Sequence, residues 1–240
     1  MIYSERVITR LDDFDCSAKL KPSSVLKLFE NCADHHTDAV RDSELKTLMH
    51  SAEWILTEWS LNISRLPKRG ETLFAETYIR GKAPCVRCER EFRLKCGDEL
   101  LVTGQTMLSL LDVDRGRVVR ISEELMNKYG PEQDGIFDMR RSKLRLPESF
   151  ELSVPFALRR SDLDYNRHVH NTAYLDFATE LIPDEALRCD PLSVRIMYKR
   201  ALKAGDSPVA CAHNDAGLWT LAVMCDGELC TVCEVDCRRK

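Results

Sequence analysis

No run of apolar residues in this chain approaches the roughly 20 needed to cross a bilayer. Glu5, Arg6 and Arg10 also interrupt the amino-terminal segment before it can become the apolar part of a secretion signal. A cytoplasmic protein without stable membrane insertion is expected. The sequence has no block or stripe of Lys and Arg of the kind that gathers phosphates. Its net charge of −4 is dispersed through mixed-sign stretches such as Glu89 to Lys95, so nucleic acid is not an expected partner. No glycine-rich motif announces a phosphate cradle. Cysteine, by contrast, is plentiful at eleven residues, but a 240-residue chain that is 44% hydrophobic can fill its core without disulfide staples. The odd count also leaves at least one thiol unpaired, and buried reduced thiols are expected. Cys85-x-x-Cys88 and Cys230-x-x-Cys233 each fall in an apparent strand, where an offset of three sends side chains to opposite faces. Neither a metal nor another cofactor is expected.

The ordered parts carry a clear rhythm. Val7 to Cys16 reads as a strand with polar interruptions, and Lys21-Pro22-Ser23-Ser24 starts a helix with Ser23 or Ser24 as N-cap. Val25, Leu28, Phe29, Cys32, Ala33 and Val40 then recur near helical spacing, the mark of an amphipathic helix packed by one face. Extended segments follow at Trp54 to Ser64, Thr72 to Gly81, Val86 to Leu94 and Glu99 to Asp112. A polar region from Ser122 to Glu148 interrupts the pattern and reads as a crossover. The order then returns: a short extended piece after Leu152, a polar loop from Ser161 to His170, and a helix around Asn171 to Leu181. Four more extended segments lie near Leu192 to Tyr198, Ser207 to Asn214, Leu218 to Cys225 and Glu228 to Val235. The predicted organisation is α+β, with a first unit at Met1 to Ser122, a linker at 123–151 and a second unit at Leu152 to Lys240.

The second unit repeats the first in detail. Ile63-Ser64-Arg65-Leu66-Pro67-Lys68-Arg69-Gly70-Glu71 matches Tyr198-Lys199-Arg200-Ala201-Leu202-Lys203-Ala204-Gly205-Asp206, each a strand end leading through a basic, glycine-containing turn to an acid. Two fused copies related by a pseudo-twofold axis account for the shared order of helix, long strand, basic turn and three further strands.

The segment from Ser161 to Asn171 concentrates two imidazoles, two amides and paired carboxylates just before a helical pattern. Loops that enter helices use Asp and Asn to satisfy backbone donors, which explains one or two of these residues. The alternate placement of Asp164, Asn166 and His168 goes further, because in an extended loop that spacing turns all three to one side.

Here the sequence resembles a known family. The run from Asp162 to Tyr174, Asp-Leu-Asp-Tyr-Asn-Arg-His-Val-His-Asn-Thr-Ala-Tyr, is similar to the helix-entry motif of the fatty acyl-ACP thioesterases, of the bacterial type related to the plant enzymes. The first half is similar to that family in Leu28 to Asp38, Trp54 to Thr57, Arg65 to Thr72 and Leu110 to Arg117. The resemblance implies a double hotdog, two fused repeats that each wrap an antiparallel sheet around a central helix. It places Asp164, Asn166 and His168 on the family's catalytic aspartate, asparagine and histidine. His170 stands where the family commonly has a second asparagine, followed by the matching Asn171. Ala201 and Leu202 stand where it commonly has a glutamate and, in plant members, a cysteine, with Glu180 and Asp206 as candidate replacements for that carboxylate.

The implied reaction is hydrolysis of fatty acyl-ACP to free fatty acid and holo-ACP. Asp164 is the candidate base or direct nucleophile, His168 would orient water or polarise the carbonyl, and Asn166 would position substrate or Asp164. A backbone N–H among Val169, His170 and Asn171 is a candidate oxyanion donor. The implied partner is acyl carrier protein bearing a fatty acyl phosphopantetheine, with Arg140, Arg141, Lys143 and Arg145 as candidate carrier contacts and a homodimer as a possible assembly. Two alternatives stand beside this: an acyl-CoA thioesterase, and an acyl-binding hotdog protein of weak catalysis.

Overall fold

The computed structural model describes residues 1–41, 52–81, 83–132, 135, 144–187 and 190–238. After strand β1 (Tyr3–Val7) the chain does not continue extended to Cys16. It turns through a short 3₁₀ segment at Leu11–Asp13, where the Asp13 carboxylate accepts the Arg10 N–H at 2.7 Å. Helix α1 (Pro22–Ala39) begins with Lys21, not Ser23 or Ser24, in the extended N-cap conformation. Pro22 takes the first helical position, where its missing N–H costs nothing. Both serines are buried in the first turn. Strands β2 (Ala52–Ile63), β3 (Leu73–Arg80), β4 (Cys88–Cys96) and β5 (Glu99–Asp112) form a meander, with β6 (Arg117–Val119) paired to β5. The linker region contributes helix α2 (Glu123–Tyr129), capped by the Ser122 hydroxyl, which packs Leu125, Met126 and Tyr129 on Ile79, Leu108 and Leu110.

The second half rebuilds the same plan. Strand β7 (Leu152–Pro155) precedes a 3₁₀ segment at Arg160–Asp162 and helix α3 (Ala173–Thr179), followed by a short helix α4 (Asp184–Leu187). Strands β8 (Ser193–Tyr198), β9 (Val209–Asp215), β10 (Leu218–Cys225) and β11 (Glu228–Asp236) complete it. The first half orders its strands β1-β3-β4-β5-β2 and the second β7-β9-β10-β11-β8, the same permutation. Strands β2 and β8 pair antiparallel, with Trp59 opposite Ile196 and Leu61 opposite Val194, so one continuous sheet runs through the pseudo-twofold axis. This is a double hotdog.

The basic turns confirm the duplication at atomic detail. Gly70 and Gly205 both take left-handed φ, +94° and +95°, a region that favours glycine. The Lys68 N–H donates to Glu71 at 2.7 Å and the Lys203 N–H to Asp206 at 2.9 Å.

A single apolar core joins the halves, with Phe29, Trp59 and Leu61 in contact with the cluster that contains Leu175, Ala178, Val194 and Ile196. Phe29 stacks on Phe92 with ring centroids 4.8 Å apart. Gly104 makes room for it, since a Cβ there would lie 2.7 Å from the Phe29 ring. Among the described residues no helix is long and apolar enough to cross a membrane.

Candidate active site

The segment from Arg159 to Asn171 is not an extended loop. Asp164 and His168 close a tight turn: the Asp164 N–H donates to the His168 carbonyl at 2.7 Å, and the Arg167 N–H donates to the Asp164 carbonyl. Arg167 itself adopts left-handed φ, +63°. One carboxylate oxygen of Asp164 accepts the His168 N–H at 3.0 Å, so this side chain is engaged by its own loop. Asn166 lies exposed at the tip of the turn and His168 is half-buried at its exit. The expectation that strand-like alternation aligns the three side chains is therefore replaced by a turn whose shape Asp164 fixes.

Asp162 has a separate task. It is 4% exposed, accepts the Arg159 N–H at 2.8 Å and receives three further contacts from the Arg159 guanidinium, at 2.7, 3.0 and 3.2 Å. Its carbonyl accepts the His170 N–H at 2.8 Å. Asp162 is a structural acid.

The same loop occurs in the first half, a duplication that sequence comparison missed. Asp15 closes a turn with Lys19 through the same pair of bonds, at 2.8 and 3.0 Å, and Ala18 takes the left-handed φ of Arg167. Asp13 stands for Asp162 and Lys21 for His170, each of the latter donating its N–H to the aspartate carbonyl. The signal available in sequence was the pair Arg10-x-x-Asp13-x-Asp15 and Arg159-x-x-Asp162-x-Asp164.

The equivalences then diverge where chemistry would occur. The place of His168 is held by Lys19, whose Nζ is tied to Asp190 at 2.6 Å. Pro22 replaces Asn171 and has no N–H to offer. Thr179 replaces Glu30 and returns its hydroxyl to the Leu175 carbonyl at 2.8 Å.

Each loop faces a cavity bounded by the helix of the other half. The larger, about 650 Å³, lies between α1 and strands β2, β4 and β5, and the second-half loop brings Tyr165 and Asn171 to it. Its apolar lining includes Trp54, Leu56, Trp59, Phe92 and Leu108, and polar groups come from Glu30, Arg90 and Thr106. The related cavity, about 380 Å³, lies beside α3 and is lined by Asp15, Lys21, Arg159, Asp176 and Glu180.

Three backbone donors were candidates to face an oxyanion. The Val169 N–H is bonded to the Leu202 carbonyl at 2.9 Å and the His170 N–H to Asp162. Those two are corrected: both are spent on the fold. Asn171, whose N–H takes no such bond among the described residues, lines the large cavity, and its carbonyl accepts the Tyr198 hydroxyl at 3.0 Å.

Glu30 is the site residue that sequence reasoning passed over. It lines the large cavity from α1 with Oε1 buried, and Oε2 lies 3.8 Å from Nδ1 of His170, which itself bonds the Thr172 hydroxyl at 3.1 Å. Burial pushes the Glu30 carboxyl up to about 7, against the opposing influence of Trp59 and Lys27. Burial likewise holds the His170 imidazole below its ordinary value, against the charge of Asp164. His36, in the last turn of α1, is fully buried between Tyr3 and Tyr129 and belongs to the core.

With this geometry in place, comparison with known proteins is direct. The model of the acyl-ACP thioesterase N-terminal domain matches residues 1–129 and that of the C-terminal domain matches residues 147–218. The chain belongs to the acyl-ACP thioesterase family. It is similar to the chloroplastic oleoyl-acyl carrier protein thioesterase of Coriandrum sativum, 22% identical over 89% of this chain and 60% of that protein. An oleoyl-acyl carrier protein thioesterase of Arabidopsis thaliana is 22% identical over 85% of this chain and 61% of its own length. The chain thus spans about three-fifths of the length of these curated relatives. Among solved structures, the 12:0-ACP thioesterase of Umbellularia californica superposes with a TM-score of 0.85 at 17% identity, over 98% of this chain and 96% of the other. An acyl-ACP thioesterase of Bacteroides thetaiotaomicron gives 0.87 at 14% identity, over 98% and 97%.

Within this family the departures at Ala201 and Leu202 have a structural context. Leu202 is fully buried, its N–H donating to the Tyr174 hydroxyl at 2.7 Å, whereas Ala201 is exposed. Neither expected replacement enters the large cavity: Glu180 lines the smaller one and Asp206 serves the Lys203 turn. Of the basic residues expected to meet a carrier, Arg145 is exposed, while Arg140, Arg141 and Lys143 lie outside the described residues.

Proposed function

We propose that this protein hydrolyses fatty acyl thioesters carried on the phosphopantetheine of acyl carrier protein, releasing free fatty acid and holo-ACP. The observation that carries the proposal is the large cavity. It pairs an aromatic and aliphatic wall with polar groups from both halves, Asn171 from one and Glu30 from the other. An apolar chain fits the wall, and the thioester then falls at the loop from Asp164 to Asn171.

In this proposal the Asn171 N–H and His168 stabilise the oxyanion that forms when water attacks the carbonyl. Asn166, exposed at the turn tip, positions the carrier-bound thioester. Asp164 remains in the catalytic set with a positioning role: its bond to the His168 N–H holds the imidazole and the Asn171 amide in register. The smaller cavity does not work as a second site, because Pro22 and Lys19 offer neither the amide nor the imidazole. One working site therefore requires both halves.

A panel of thioesters tests this. Acyl-ACP is expected to be turned over faster than acyl-CoA of the same chain length, with product acid appearing in proportion to free thiol. Faster turnover of acyl-CoA would transfer the activity to that carrier. Tight acyl binding without release of thiol from either would make the protein an acyl-binding hotdog instead.

A further inference from the structure

Besides Asp164, the loop's own acids are committed: Asp162 to Arg159, and Asp206 to the Lys203 turn. Two other carboxylates line the large cavity, Asp34 and Glu53, and both are exposed to solvent. Glu30 differs from all of these. It is enclosed by protein, with only about a fifth of its side-chain surface open, and that surface faces the cavity. Oε1 is itself buried, with Trp59 acting on the carboxylate against burial, and Oε2 lies 3.8 Å from an imidazole contributed by the opposite half. Burying a carboxylate is costly, and the cost is offset where the group has a use at the cavity it lines.

Resting on the thioesterase function proposed above, we infer that Glu30 is the general base of this site. Water held between Glu30 and Asn171 attacks the thioester carbon as its proton passes to the Glu30 carboxylate. The new carbon–oxygen bond forms and the carbonyl oxygen becomes an oxyanion at the Asn171 N–H. Collapse breaks the carbon–sulfur bond, and the departing thiolate takes the proton from Glu30. The products are one carboxylic acid and one thiol, and the carboxylate is regenerated. This proton transfer uses no carboxylate at Ala201, because α1 of the first half supplies it.

The environment makes the base titrate in a useful range. The charged and titratable groups around Glu30 are Lys27 and Asp34 on α1, Glu53 on β2, Arg90 on β4, His170 on the loop and Tyr198 on β8. Burial dominates, so the protonated form persists to about pH 7 and the active carboxylate accumulates above it.

The test measures kcat and kcat/KM on acyl-ACP from pH 5.5 to about 9 for the native protein, Glu30→Gln and Glu30→Asp. The native profile should rise with pH through a midpoint near 7. Glu30→Gln should lose about 100- to 10,000-fold in kcat with little change in KM, and its rising limb should vanish. Glu30→Asp, which keeps the charge and shortens the reach, should recover part of the rate and restore the limb. A folded Glu30→Gln protein that keeps near-native kcat and the rising limb would overturn the assignment. If Glu30→Gln does not fold, Glu30→Asp decides alone: a full native rate with an unshifted limb overturns it, and a reduced rate with the limb retained supports it. Failure here with an active native protein would leave the thioesterase proposal standing. An inactive native protein would remove that proposal itself.

Discussion

Asp164→Ala and His168→Ala are expected to lower turnover of acyl-ACP by about 100- to 1,000-fold, whereas Asp164→Asn should retain most of the native rate. For His168 the figure follows from loss of one donor to the developing oxyanion. The logic at Asp164 is geometric. Its carboxylate holds the turn through the His168 N–H, and the amide oxygen of asparagine can accept the same bond. Alanine removes it, and a displacement of about 1 Å in the attacking geometry is enough to cost ~100-fold. The first half supports this division, since Asp15 makes the same bond beside Lys19 with no imidazole to serve. Asp162→Ala is the control: it should lose stability by about 1 to 3 kcal/mol through the orphaned Arg159 contacts while folded protein keeps more of its activity. Turnover measured beside melting curves separates these effects. A folded Asp164→Asn protein as inactive as Asp164→Ala would show that the charge itself acts, as base or nucleophile.

The largest effect on stability is expected at Phe29. Its ring is fully buried, stacked on Phe92 and 6.2 Å from the Trp59 centroid, in the core shared by both halves. Phe29→Ala should cost about 3 to 5 kcal/mol, the usual range for an aromatic removed from a packed core. For a chain of this size that lowers Tm by about 6 to 20 °C. Because Gly104 leaves no side chain to close the gap, the lower end would signal collapse of β5 toward α1. Urea titration followed by tryptophan fluorescence and by far-ultraviolet circular dichroism checks it. A shift under 1 kcal/mol would mean that the helix is not part of the core the two halves share.

Much of this fold was legible because local chemistry and tertiary structure agree. Glu99–Asp112 and Leu218–Cys225 appear as strands at the boundaries their sequence suggests. The Asp226-Gly227 hairpin has both residues at positive φ, 52° and 78°, as a tight two-residue turn requires. Val7 to Cys16 misled because its scattered apolar residues read as a strand with polar interruptions, while the Arg10–Asp13 bond that bends the chain is a contact that periodicity does not encode. The loop at Asp15 escaped notice because little besides Arg10, Asp13 and Asp15 survives from the duplication, its working positions having become Lys19 and Pro22. Glu30 was hidden for a different reason. On the sequence of α1 it reads as an ordinary polar position of an amphipathic helix, and the residues that enclose it, His170, Asn171 and Tyr198, come from the other half of the chain.

The central claim is that one site, assembled from the α1 cavity and the loop from Asp164 to Asn171, does the work of a duplicated fold. A crystal structure of the full chain with an unhydrolysable acyl-phosphopantetheine thioether that keeps a ketone in place of the thioester tests it most directly. The acyl chain should occupy the large cavity against Trp54, Leu56 and Phe92, with the ketone oxygen within hydrogen-bond distance of the Asn171 N–H. An acyl chain seated in the smaller cavity beside Asp15 and Lys21, or a ketone directed away from Asn171, would contradict it.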